Sequence, residues 1–189
     1  MARKKRRKLR GWVYVALIIL LCLFIGLGVF LIKHKTSKSD YHFYKGDVSE
    51  VEMSMKADGY LYTYQQQYFE ADGQTYISLN DLYNIYTHLD NGQVVLDQGK
   101  NTMVFTNSIT HITLNYKKEN MVFKDCQWSE ATQQYLSSLN VSDQLKLDDT
   151  ATHAYIFEGE VYLAQEVIEK VLFNSQYQLD LSQKTLNKS

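Results

Sequence analysis

The sequence predicts an α+β fold: antiparallel strands packed on short helices, organised as two related strand–helix units and preceded by a single transmembrane helix. Three observations predict it. An uncharged apolar run fills Trp12–Ile32. Beyond residue 51, short alternating segments are punctuated by Asp-Gly, Asn-Gly and Glu-Gly turns and interrupted by stretches with helical spacing. The order of those segments then recurs at a nearly constant offset.

The apolar run, WVYVALIILLCLFIGLGVFLI, has 21 residues and no charge, Pro, Asn or Gln. At about 1.5 Å per residue it makes roughly 31 Å of helix, which matches the ~30 Å hydrocarbon core of a bilayer. Residues 1–11 form a basic tail with seven Lys or Arg and no acid. That bias keeps the N-terminus cytoplasmic and sends the C-terminal part across the membrane. A cleaved signal peptide fits less well. Its apolar region would be too long, and KHKTSKSD follows with no small-x-small site. Cys22, flanked by Leu20, Leu21 and Leu23, does not form a convincing lipobox. Residues 12–32 are therefore read as an uncleaved signal anchor in the cell membrane. Trp12 and Tyr14 suit its inner interface.

Behind the span lie 13 Lys and 21 acids, a net charge of −8 for residues 33–189. An acidic domain repels polyanions, so nucleic acid is disfavoured as a partner. Only Cys22 and Cys126 are present, one in the span and one beyond it, so no disulfide framework exists. An exported domain without disulfides fits a Gram-positive type of cell surface. Cys126 reads as a small apolar residue.

Residues 33–50 are polar and aperiodic, a juxtamembrane linker in which His34 and His42 are solvated. The exported domain occupies 51–189. Asp58-Gly59 is a turn, and Tyr60, Tyr62 and Tyr64 then alternate with Leu61 and Thr63 along a strand. After the Asp72-Gly73 turn, Thr75–Leu79 is extended. Asn80 is a helix cap, and Leu82, Ile85, Tyr86 and Leu89 mark a helix of about ten residues. Val94–Leu96 and Thr102–Phe105 form a hairpin around Asp97–Asn101. Ile109–Leu114 and Met121–Phe123 are further strands. Residues 124–153 read as an insertion with one helix starting near Ser129 and a polar loop over Ser142–Thr150. Ala154–Phe157, a Glu158-Gly159 turn, Val161–Leu163, a helix over about Ala164–Phe173 and Gln176–Leu181 complete the chain.

An offset of 86 places Gly73 on Gly159, Tyr76-Ile77 on Tyr162-Leu163, Leu82 on Ile168 and Ile85 on Val171. An offset of 83 places Asp97 on Asp180 and Thr102 on Thr185. Each unit reads strand, Gly turn, strand, short helix, strand, polar turn, strand.

The stretches GQTYISLNDLYNIY with VVLDQGKNTMVF, and GEVYLAQEVIEKVL with YQLDLSQKTL, resemble the exported bacterial stalk domain, also called the copper amine oxidase N-terminal-like domain. The resemblance covers about residues 60–187. It departs from the family pattern where Ser78 and Ala164 stand in place of Pro, and where Leu96 and Leu179 stand in place of the aromatic before Asp. The resemblance implies antiparallel strands wrapped on a helix, on a bacterial cell surface near wall-active enzymes. It implies no copper site.

No HxH, HxxxH, HExxH or CxxC links the histidines or cysteines, so no metal site or other cofactor is expected. There is no GxSxG or SxxK, and no spacing singles out a carboxylate pair, so no catalytic residue is assigned and the chain is read as a non-enzyme. Asp72, Asp90 and Asp97 adjoin turns, where carboxylates bind backbone N–H groups. Asp143, Asp148 and Asp149 lack the spacing of a calcium loop. Tyrosine is the unusual residue, with 15 in the chain. Tyr76, Tyr83 and Tyr86 read as core; Tyr60, Tyr62 and Tyr64 are a candidate ligand or partner face. The leading functional reading is a membrane-anchored extracytoplasmic domain that binds or positions peptidoglycan or an envelope protein. Two alternatives stand beside it. One is the non-catalytic front of a truncated wall hydrolase, since the last hairpin ends abruptly at Ser189. The other is a single-pass scaffold or sensor.

Overall fold

The computed structural model describes residues 18–23, 42–89, 92–97, 99–116, 120–139, 144–146 and 154–189. The basic tail, most of the expected span, the first part of the linker, His34, Asp90, Asn91, His153 and the acidic residues Asp143, Asp148 and Asp149 lie outside the described residues. The chain divides into two units, residues 1–38 and 39–189. In the first, residues 18–23 are helical and exposed and are labelled α1. Among the described residues no helix is long and apolar enough to cross a membrane.

The second unit is mixed α+β, with mostly antiparallel sheets and short helices. A seven-stranded sheet has the order β11-β12-β1-β2-β3-β10-β9, and a five-stranded sheet has the order β4-β5-β6-β7-β8. The long hairpin β1 (Ser49–Ala57) and β2 (Tyr60–Ala71) opens the unit. Strand β3 (Gln74–Ser78) leads into α2 (Leu79–Tyr86), followed by the hairpin β4 (Gln93–Asp97) and β5 (Thr102–Thr106). Then come β6 (His111–Asn115), β7 (Asn120–Phe123), α3 (Glu130–Ser138) and β8 (Gln144–Lys146). The chain closes with β9 (Ala154–Phe157), β10 (Glu160–Ala164), α4 (Gln165–Val167) running into a π-helical turn (Ile168–Leu172), and the hairpin β11 (Tyr177–Asp180) and β12 (Thr185–Lys188). Among the described residues all strand pairs are antiparallel except β1 with β12, where Ser54 lies opposite Thr185 and Met55 opposite Leu186; the isolated bridge between Phe43 and Ile156 is also parallel.

The turns explain why the strands fall where they do. Asp72 and Gly73 both have positive φ, 51° and 74°, and so do Glu158 and Gly159, 49° and 87°. Two positive φ values in a two-residue loop match the right-handed twist of the flanking strands, and Gly supplies the second without steric cost. Asn101 and Lys184, 83 positions apart, are likewise left-handed at 53° and 56°. Asp97 Oδ1 accepts from Lys100 N at 3.1 Å, and Asp180 Oδ1 accepts from Gln183 N at 2.9 Å. These carboxylates satisfy turn N–H groups, and the hydrogen bonds hold both below the usual carboxylate range.

The second strand of each segment meets the other at the middle of the large sheet. Ile77 lies opposite Leu163, its counterpart at the offset of 86, with Tyr76 opposite Ala164 and Tyr162 opposite Ser78. Around this point four buried or half-buried rings interlock. Phe69 sits 5.2 Å from Tyr162, and Tyr76 sits 4.7 Å from Tyr155. Each of these contacts becomes the other when the two segments are exchanged. Tyr44 lies flat on Phe69 at 3.6 Å and meets Tyr155 edge-on. Helix α2 packs on β2 and β10, and α4 packs on β3. Tyr86 carries the core across to the second sheet by its edge contact with Phe105. One apolar cluster runs through both sheets and the helices.

Several local expectations change. The folded unit begins before residue 51: Phe43 bridges Ile156, Tyr44 N donates to Ile156 O at 3.0 Å, and β1 starts at Ser49. Tyr44, within the expected linker, packs its ring on Phe69, while Phe43 stays exposed. Asn80 does not cap α2; the helix starts at Leu79, and Ser78 takes the cap position without a side-chain cap bond. Tyr83 is 40% exposed rather than core, because Leu79, Leu82, Ile85 and Tyr86 form the buried stripe of that short helix and Tyr83 lies off it. The polar loop over Ser142–Thr150 contains β8, which pairs with β7. Ser129 caps α3 by accepting from Thr132 N at 3.1 Å.

Candidate functional site

Tyr60, Tyr62 and Tyr64 share a side of β2, as alternation requires, but that side faces largely inward. Opposite them on β1 stand Ala57, Met55 and Met53, and both methionines are buried. Tyr60 is 68% exposed at the hairpin tip, Tyr62 is half-buried and stacks on His88 at 4.2 Å, and Tyr64 is half-buried. Burial and then the charge of Asp81 push the Tyr64 hydroxyl well above the usual phenol range. The three rings form a row that descends into the core, not an open platform.

A separate concavity lies elsewhere on this unit. It is an open groove of about 610 Å³ on the large sheet, lined by Tyr68 and Glu70 of β2, Thr75 of β3, Gln165 of α4, Glu169 of the π-helical turn, and the β11 hairpin from Gln178 to Ser182. Strand pairing fixes its floor: Tyr68 opposes Ile77 and Glu70 opposes Thr75, which puts Tyr68, Glu70 and Thr75 on one side of the sheet. Hydrogen bonds fix its walls. Thr75 Oγ1 donates to Glu70 Oε1 at 2.6 Å. Glu169 Oε1 accepts from Gln165 Nε2 and from Leu179 N, each at 2.8 Å. Gln165 Nε2 also donates to Leu179 O at 2.7 Å. Ser182 Oγ donates to Asp180 Oδ1 at 2.6 Å. Among the described residues the lining thus offers one aromatic ring, two side-chain amides, three hydroxyls counting that of Tyr68, three carboxylates, and no lysine or arginine. Such a surface recognises a ligand by many hydrogen bonds and ring contact.

A second concavity of about 330 Å³ is lined by Asn80, Leu96, Asn101, Met103, Tyr116, Gly159 and Val161. Leu96 and Val161 are the counterparts of Leu179 and Thr75 in the polar groove. At four further positions of the polar groove the counterparts are apolar or aromatic, Ile156 for Glu70, Leu79 for Gln165, Tyr83 for Glu169 and Val95 for Gln178, whereas Asp180 keeps a carboxylate in Asp97.

A third, about 200 Å³, is lined by Val48, Glu50, Gln67, Phe157, Glu158, Glu160 and Tyr162. Asp81 stands beside it. Pairing of β2 with β3 stops at Tyr68 and Ile77, so the Gln67 N–H has no ladder partner and donates instead to Asp81 Oδ2 at 2.7 Å. Gln66 Nε2 reaches Ser78 O at 3.1 Å, Ser78 Oγ donates to Glu160 Oε2 at 3.3 Å, and Tyr162 Oη donates to Gln67 Oε1 at 2.8 Å. Burial, then the charges of Glu160 and Glu50, raise the Asp81 carboxyl above its ordinary value. This reads as a polar seal on the strand–helix junction.

Among the described residues no group of three or more His, Cys, Asp and Glu could hold a metal ion. His111 is half-buried in β6. Cys126 is half-buried, and its Sγ accepts from His111 N at 3.3 Å, which ties the start of β6 to the loop after β7. The polar groove had no local signal in the sequence, since its residues come from four elements spread over more than 110 positions. No family model, curated protein or solved structure matches the chain.

Proposed function

We propose that this chain is a membrane-anchored, extracytoplasmic, non-enzymatic domain that binds cell-wall material in the polar groove beneath Tyr68. Residues 12–32 hold it in the membrane, the basic tail stays in the cytoplasm, and residues beyond the linker face the wall. The groove is the observation that carries this reading. Its lining joins the Tyr68 ring to side-chain amides, hydroxyls and carboxylates, the groups that contact a saccharide by stacking and hydrogen bonds. Its walls are tied down by backbone contacts at Leu179, which lowers the cost of ordering them on binding. The stalk-domain resemblance and the descent of the two strand–helix segments from one duplicated unit belong to the same proposal. The repeated order of turns, strands and helices supports them.

The test is co-sedimentation of the full-length chain, in detergent, with purified peptidoglycan. The protein should appear in the pellet above an unrelated acidic control. Gln178→Ala, an exposed groove residue, should weaken retention by several fold while leaving the circular dichroism spectrum unchanged. Retention equal to the control would overturn the reading.

A further inference from the structure

We infer that the free edge of β4 pairs antiparallel with the same edge of a second copy of this chain, so that the small sheets of both copies run on as one across a two-fold axis at Val95. The two sheets end in β11 and β9, and in β4 and β8. An end strand presents a row of unpaired N–H and C=O groups, and folds close such edges. Residues 42–44 close β9, since Tyr44 N donates to Ile156 O at 3.0 Å and Ile156 N donates to His42 O at 2.8 Å. Side chains close β11: Leu179 N donates to Glu169 Oε1 at 2.8 Å, and Leu179 O accepts from Gln165 Nε2 at 2.7 Å. Strand β8 is only three residues long. Strand β4 has none of these devices. Among the described residues it pairs with β5 alone. Its sequence, QVVLD, contains no Lys, Pro or Gly to turn a partner strand away. Val95 is 56% exposed and Leu96 42%.

The direction of the free groups follows from the neighbouring ladder. Tyr116 N donates to Asn101 O, and Asn107 N donates to Thr110 O, one at each end of the β5–β6 pairing. Antiparallel ladders alternate, so the odd-numbered residues of β5 turn their backbone groups to β6 and the even-numbered ones turn theirs to β4. Thr102 with Asp97, Val104 with Val95 and Thr106 with Gln93 are therefore the pairs that exchange hydrogen bonds. Val94 and Leu96 are left with their N–H and C=O groups pointing outward.

That edge is complementary to itself. An axis at Val95 sets Val94 opposite Leu96 of the partner subunit and Leu96 opposite Val94 of the partner subunit, and each such pair exchanges both backbone hydrogen bonds. Val95 meets Val95 of the partner subunit. Asp97, the sole charge of the strand, falls opposite Gln93 of the partner subunit, whose amide donates to a carboxylate, and not opposite its own copy. The smallest slide that keeps the outward groups facing is two residues. It sets Val95 opposite Gln93 or Asp97 of the partner subunit and leaves fewer residues of β4 paired. Backbone direction, apolar matching and charge thus agree on one register, and that agreement favours a second copy over an unrelated strand.

The experiment uses the full-length chain in detergent, with Cys22→Ser and Cys126→Ser removing both native thiols. In that background Val95→Cys should oxidise to a covalent dimer, because facing residues of a non-hydrogen-bonded antiparallel pair stand about 4.5 Å apart at Cα, within disulfide reach. Gln93→Cys should not, because its copy lies roughly 14 Å away along the strand. In sedimentation equilibrium the native chain should dimerise, and Leu96→Lys should weaken the dimer at least about tenfold with an unchanged circular dichroism spectrum. Should Leu96→Lys alter the spectrum, the two cysteine variants decide alone. Val95→Cys that stays monomeric, or that crosslinks no better than Gln93→Cys, would overturn the inference. So would a dimer that a folded Leu96→Lys leaves intact, which would place the contact on another surface. A native chain that is monomeric up to about 100 μM, well above the micromolar end of specific interfaces, would overturn it too. Wall binding stands or falls separately, because its groove lies on the large sheet and β4 belongs to the small one.

Discussion

The segment from β2 to β5 and the segment from β9 to β12 pass through the same order of elements, yet they end in different sheets. The first sends its hairpin into the five-stranded sheet, where β6 pairs with β5 and β7 and β8 extend it. The second sends its hairpin to the large sheet, where β12 lies parallel to β1. The difference separates what a local pattern decides from what its neighbours decide. Turn residues and apolar spacing set each strand–helix segment. Whichever strand stands free beside the hairpin sets where the hairpin goes. The same contrast appears position by position. Positions that pack at the centre of the large sheet, Tyr76 and Tyr162 or Ile77 and Leu163, keep their character. Several positions that line the polar groove do not, with Ile156 standing for Glu70 and Val95 for Gln178.

The central rings offer the strongest way to break that comparison. Tyr76 and Tyr162 are both fully buried and occupy exchanged positions in the ring cluster. Truncating a large buried ring costs about 3–5 kcal/mol. Tyr76→Ala and Tyr162→Ala should therefore each lower stability by a similar amount in urea unfolding. A difference much larger than about 1 kcal/mol between them would show that one segment carries the core and the other only leans on it.

The paired turns test the same equivalence with less energy at stake. A Cβ at Gly73 or Gly159 would meet nothing within 4 Å, so a substitution there feels only the backbone. Both have positive φ, and a left-handed residue with a Cβ costs roughly 1–2 kcal/mol. Gly73→Ala and Gly159→Ala should each fall in that range by thermal unfolding. A cost confined to one of them would mean that the other turn can change its conformation.

Much of this architecture was legible in the residues. Asp72-Gly73 and Glu158-Gly159 mark their turns by type, Leu82, Ile85, Ile168 and Val171 mark buried helix stripes, and Ser129 marks the start of α3. Other features were not legible, for stated reasons. Gln144–Lys146 is too short and polar to read as a strand, and it forms one because β7 offers an open edge. Tyr60, Tyr62 and Tyr64 alternate as a surface row would, and only the pairing with Met53 and Met55 shows which way the row points. The groove is harder still to read, because Glu70, Gln165 and Gln178 are brought together by sheet pairing, not by sequence spacing.

Asp81 is a further position at which the two segments differ, since its counterpart in the second is Val167, which is fully buried. Glu160 and Glu50 face Asp81 as carboxylates from β10 and β1, and Tyr64 faces it from β2. Because burial and these charges raise the folded carboxyl above its ordinary value, ionisation costs more in the folded state than in the unfolded one. This group's contribution is thus fully present below the unfolded value of about 3.9 and is lost as pH rises through the higher folded value. Asp81→Asn removes the ionisation and keeps an oxygen for the Gln67 N–H. The effect is the smallest of the three, because the site is partly open to water and screened. Unfolding of the two proteins in parallel across acid to neutral pH should show wild type losing stability relative to the Asn variant as pH rises. A difference that stays flat would mean that the polar seal holds its carboxylate without electrostatic cost. A difference of opposite sign would mean that the hydrogen bonds from Gln66 and Gln67 outweigh both burial and the neighbouring charges.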